Sequence, residues 1–156
     1  SAASDVYKRQ MLTGGRTRSL SSYFADFIFK YQGFAFYTDF MGRSCDTPVL
    51  YIPSPDEVEP GEPEFIYKGN GVNVQTSYLF RSNWEIALRN STLLPDESVQ
   101  SLVGYEYFNQ STIGVTKYLI GHTLKIQADA SYNYKKMAAD PDYNRWEFRF
   151  QVELGF

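Results

Sequence analysis

Few residues in this chain have the type and spacing for chemistry. His122 is the single histidine. It sits in the short stretch Ile120-Gly121-His122 with no cysteine cluster or carboxylate triad in register, so it reads as a turn residue rather than a metal ligand or general base. Cys45 is the single cysteine. No intrachain disulfide can form, and Cys45 reads as an incidental thiol, with a reactive or intermolecular thiol as the alternative. Gly69-Asn-Gly71 lacks the strand-to-helix setting of a phosphate-cradling loop and reads as strand entry. Asp56, Glu57, Glu59, Glu62 and Glu64 are dense but lack calcium-loop spacing, so they read as a solvated loop. With no nucleophile and base paired, the chain is read as a non-enzyme requiring no cofactor and no metal. What remains is a set of charges alternating with apolar residues: Asp26, Lys30, Asp39, Glu85, Arg89, Lys125, Asp129, Glu147 and Arg149. Such charges make and break no bonds. Lining a water-filled passage, they would guide and select ions.

The elements that position them have a period of two. From Arg145 to Phe156, Trp146, Phe148, Phe150, Val152, Leu154 and Phe156 point one way. Glu147, Arg149, Gln151, Glu153 and Gly155 point the other way, a pattern that belongs to a strand. About ten to twelve residues of unbroken alternation, with rings at both ends of the apolar stripe, match a tilted strand crossing a bilayer between two interfacial girdles. The same alternation recurs from Leu20 to Tyr31 and from Phe34 up to Arg43, joined by Gln32-Gly33. It returns at Val72 to Phe80 and Trp84 to Arg89, joined by Arg81-Ser-Asn83, and again from Tyr105 through Leu119 and at Leu124 to Tyr134, joined through Gly121-His122. Three hairpins and a terminal strand make about seven strands.

Composition agrees with this pattern. The chain has 156 residues, 43% hydrophobic, with 13 Tyr and 12 Phe, yet its mean hydropathy is only -0.39. No run of about 18 apolar residues exists, which excludes membrane helices but not a barrel, whose polar lumen face dilutes the total. The net charge of -3 argues against a nucleic-acid partner.

The connections alternate in length. The three named turns are tight, whereas residues 42–69, 90–104 and 135–144 are long and rich in proline and acid. Short periplasmic turns and long outer loops are the asymmetry of a transmembrane barrel. The expected fold is therefore all-β, an antiparallel transmembrane β-barrel of which this chain holds only part. Rings are expected near the strand ends and aliphatic residues at the centres of the lipid face.

Three runs carry a family resemblance: Trp84-Glu-Ile-Ala-Leu-Arg89, Gly114-Val-Thr-Lys-Tyr-Leu-Ile-Gly-His-Thr-Leu-Lys-Ile-Gln127, and Arg145-Trp-Glu-Phe-Arg-Phe-Gln-Val-Glu-Leu-Gly-Phe156. They resemble the carboxyl-terminal part of the phosphate-selective porin O/P family. The resemblance implies a barrel of about sixteen strands in the bacterial outer membrane, usually a homotrimer, passing small solutes such as anions by diffusion. It also implies that Phe156 is the signal read by the barrel-assembly machinery. The nine alternating charges become pore-lining candidates. Because inward acids are at least as numerous as inward bases, a porin follows more firmly than phosphate selectivity does.

Residues 1–10 resemble the translated read-through of a sequencing-library adaptor, which leaves residues 11–156 as the native part. An odd strand count then fits a carboxyl-terminal fragment, expected to aggregate when expressed alone because its open edges leave backbone groups unpaired. Three other readings stand beside the porin: the tail of a plugged, energised outer-membrane transporter, a soluble β-sandwich binding module and, weakest, a barrel-embedded hydrolase.

Overall fold

The computed structural model describes residues 9–11, 17–51, 63–120 and 124–155. Among these residues ten strands and one short helix follow one another. They are β1 (Arg9–Met11), β2 (Thr17–Tyr31), β3 (Phe34–Cys45), β4 (Val49–Tyr51), β5 (Pro63–Phe65), β6 (Gly69–Leu79), β7 (Trp84–Pro95), α1 (Glu97–Val103), β8 (Tyr105–Ile120), β9 (Leu124–Met137) and β10 (Tyr143–Leu154). The main sheet has the order β1-β2-β3-β6-β7-β8-β9-β10, and β4 and β5 pair separately. Every pairing is antiparallel. The chain is thus an up-and-down all-β meander. Among the described residues no pairing joins β10 back to β1 or β2, so the sheet is open.

The seven long strands coincide with the seven alternating segments, and the turns between them explain the register. Gln32 and Gly33 both have positive φ, 44° and 87°, the left-handed pair that a two-residue hairpin turn demands. A side chain on Gly33 would also meet the Leu79 carbonyl oxygen at 2.6 Å. After Phe80, the Asn83 N–H donates to the Phe80 carbonyl at 3.0 Å and the Phe80 N–H to the Trp84 carbonyl at 2.8 Å. Asn83 has φ 59°, completing a three-residue loop that ends in a left-handed residue. The third turn, with His122, lies outside the described residues.

The long connections hold more structure than their composition suggests. Within residues 42–69, β3 continues to Cys45 and β4 pairs with β5, Val49 opposite Phe65. Ile66 N–H extends that pairing to the Pro48 carbonyl at 2.8 Å. Residues 52–62, with Asp56, Glu57, Glu59 and Glu62, lie outside the described residues. Within residues 90–104, β7 runs on to Pro95 and α1 follows. Asp96 caps α1 by accepting from Ser98 N–H at 3.1 Å and Ser98 Oγ at 2.6 Å, satisfying an otherwise orphaned helix donor. Gly104, at φ 82°, ends the helix with its N–H on the Gln100 carbonyl. Lys68 Nζ lies 3.3 Å from Asp96 Oδ2, and the Asp96 N–H donates to the Lys68 carbonyl at 2.9 Å. The two long connections are clasped there.

A conventional core is nearly absent. Among the described residues only Cys45, Ile66 and Val99 are buried apolar side chains, and all three lie at the long-loop end. Phe148 is 79% exposed and Phe150 70%. Among the described residues the sheet is held by its backbone ladder and cross-strand pairs, not by a second layer packed against it.

Candidate functional site

The register sorts every long strand into two faces. Phe27, Thr38, Val74, Asn90, Ser111, Tyr132 and Trp146 are successive cross-strand partners. Above and below that row the same face carries Tyr23, Phe29, Phe40, Val72, Ile86, Leu88, Ile113, Val115, Ala128, Phe148 and Phe150. On β6 to β9 the middle of this face is aliphatic. On β2, β3 and β10 rings reach the middle, as Phe27, Phe36 and Phe150 do, so the expected confinement of rings to strand ends holds only for the central strands. Tyr132 and Trp146 pack at 5.0 Å and Tyr78 and Phe80 at 4.9 Å.

The apolar stripe is oblique. On β2 it runs from Tyr23 to Tyr31 and centres on Phe27; on β10 it runs from Trp146 to Leu154 and centres on Phe150. The row through Phe27 arrives at Trp146, so the stripe slips four residues over six strand steps. With about 3.3 Å per residue and about 4.8 Å between strands, the strands incline by about 25° to the belt normal. Closed transmembrane barrels incline by about 35–45°. Each stripe is about nine residues long, the length of a tilted bilayer crossing.

All nine charges singled out in the sequence fall on the opposite face. Asp26 stands opposite Asp39, Lys30 opposite Ala35, and Arg89 between Gln75 and Thr112. Glu85 accepts from Tyr118 Oη at 2.6 Å. Lys125 pairs with Glu153 at 2.9 Å, Arg149 with Asp129 at 4.0 Å, and Glu147 with Arg145 at 3.6 Å. Asn73 links Asp39, at 2.9 Å, to Ser91, at 2.8 Å. Gln110 donates to Asn133 and Thr112 bonds Ser131, both at 2.8 Å. Ser131 and Asn133 are buried on this face while Leu88 and Ile86 stay exposed on the other. Polar neighbours thus crowd over one another, as on the inner wall of a sheet curved toward them. The sequence list missed Arg43, Lys135 and Arg145, which share the face. With them, and with Glu153, the described part of this face holds seven bases against six acids, so the bases slightly outnumber acids expected to be at least as numerous, and continuing the alternation to the strand ends would have found them. Phe156 and His122 lie outside the described residues.

One feature of the apolar face was not anticipated. Asn90, Thr92, Asn109 and Ser111 form a polar notch in its upper half. Asn90 Nδ2 donates to Asn109 Oδ1 at 3.1 Å and to Ser111 Oγ at 2.9 Å, and Asn109 Nδ2 donates to Thr92 Oγ1 at 2.8 Å. Mutual satisfaction is what a low-dielectric neighbourhood demands of polar side chains.

Among the described residues no group of three or more His, Cys, Asp or Glu gathers as a metal site. Cys45 is buried at the end of β3. No protein-family model, curated protein or solved structure matches this chain.

Proposed function

We propose that this sheet is part of a transmembrane β-barrel of the bacterial outer membrane, a porin through which small solutes diffuse. The observation that carries the reading is the bare, oblique apolar belt. A water-soluble sheet would have to cover that face, because a contiguous apolar patch of this size is unfavourable in water. A bilayer covers it without a second layer of protein. The opposite face is then the wall of an aqueous lumen, where mixed charges remain hydrated or paired. Closure requires partners for the open edges, since lipid hydrates no backbone group.

In this reading Lys30, Arg89, Lys125 and Arg149, with Asp26, Asp39, Glu85, Asp129 and Glu147, line the passage. The resemblance to the phosphate-selective porin O/P family supports a trimer and anions as permeants. The near balance of bases and acids on this face supplies no anion preference of its own. The complete protein, reconstituted in a planar bilayer, should give steady, stepwise conductance. Insertion without conductance would overturn the channel reading.

A further inference from the structure

On the polar face, at the long-loop end, the sheet and the loop after β5 border a half-open cleft of about 210 Å³. Its walls are the side chains of Phe24, Met41 and Leu93, with Gly71 in the floor and Tyr67 reaching in from the loop. Among the described residues Arg43 is the single charged one in the lining. We propose that this cleft is a binding subsite for a small carboxylate with an apolar body, a single aromatic ring being the best fit.

The argument is one of size, apolarity and charge. An apolar cavity of roughly 150 Å³ accommodates benzene, so this one has room for a ring and its carboxylate. Gly71 makes that room: a Cβ there would stand 3.0 Å from Met41 Cγ and 3.1 Å from Leu93 Cδ2. Arg43 Nε donates to Ser22 Oγ at 3.3 Å. That contact orients the guanidinium and leaves its terminal N–H groups in the fork that binds a carboxylate at two points. Tyr67 contributes its ring to the wall rather than a donor, since its phenol oxygen is buried, and burial, then the neighbouring Tyr105 hydroxyl, push its pKa up. Inorganic phosphate would satisfy Arg43 but would leave the Phe24, Met41 and Leu93 walls without an apolar partner.

A role for the subsite in permeation rests on the channel reading, whereas its ligand chemistry rests on the cleft alone. The test is calorimetric titration of the complete protein in detergent with sodium benzoate, sodium acetate, benzyl alcohol and inorganic phosphate. Benzoate should bind saturably and about tenfold or more tightly than the other three. Arg43→Gln, an exposed position, should bring benzoate down to the level of benzyl alcohol. Gly71→Val should abolish benzoate binding while Arg43 remains. The subsite is overturned if benzoate binds no better than acetate, if phosphate binds best, or if Arg43→Gln leaves benzoate binding unchanged. Bilayer conductance separates the two readings: steady conductance without benzoate binding sinks only the subsite, and benzoate binding without conductance sinks only the channel.

Discussion

Leu88 and Arg89 are consecutive on β7 and point to opposite faces, which makes them a sharp test of which face meets lipid. Leu88 lies near mid-height of the belt, between Thr76 and Ile113, and is 49% exposed. Roughly 80 Å² of it faces its surroundings, about 2 kcal/mol of apolar burial at about 25 cal/mol per Å². Leu88→Arg loses that contribution as part of the total cost of holding a cation against hydrocarbon. The expected destabilisation is about 2–4 kcal/mol, roughly thirty- to eight-hundred-fold in the folding equilibrium. Arg89→Leu removes a hydrated charge from the other face and should cost less than about 1 kcal/mol. The assay is urea unfolding of the complete protein in lipid vesicles, read by the fluorescence of Trp84 and Trp146 with the slope held common. If Leu88→Arg is neutral while Arg89→Leu is severe, the faces are assigned the wrong way round.

Other outcomes follow from the same geometry. The Ser98 hydrogen bonds, with Lys68 beside them, hold the Asp96 carboxyl below the usual carboxylate value of 3.8. The clasp's contribution is therefore fully present above that ordinary value and is lost as pH falls through the lowered one. Amide exchange at α1 and residues 66–68 should accelerate below about pH 4, and Asp96→Asn should remove the pH dependence; a flat pH profile in the parent protein would contradict this. In the polar notch, Asn90→Leu strands the Asn109 amide and should destabilise by about 1–3 kcal/mol, whereas Asn90→Leu with Asn109→Leu should be nearly neutral or stabilising in vesicles. Equal and additive losses in the double variant would show that these amides do not depend on each other.

The seven long strands were legible because alternation is a strong local signal and each strand has one apolar face. Trp146 to Leu154 and Tyr23 to Tyr31 were readable residue by residue, and so was the face of each of the nine charges. Helix α1 was overlooked although Pro95-Asp96 precedes it, Glu97 opens it and Gly104 follows it, the residues of a cap and a stop. Its seven residues are too short for the helical period to stand out against the flanking alternation. The β4–β5 pairing was hidden by proline density, since Pro63 occupies a short edge strand where the missing N–H costs little. The charge pairs were not legible at all. Lys125 with Glu153 and Arg149 with Asp129 depend on the register between strands, which no single strand encodes. The notch was unreadable for the same reason: Asn90 and Asn109 look like ordinary loop-end residues until the register sets them side by side.

The central claim is that one face meets lipid and the other water. It is tested most directly by single-cysteine labelling along β8 in vesicles, with Cys45→Ser as background, at positions 112, 113, 114, 115 and 116. Positions 112, 114 and 116 should react with a small water-soluble thiol reagent, and positions 113 and 115 should react only with a membrane-partitioning one. Uniform reactivity along the strand, or the opposite alternation, would contradict the account.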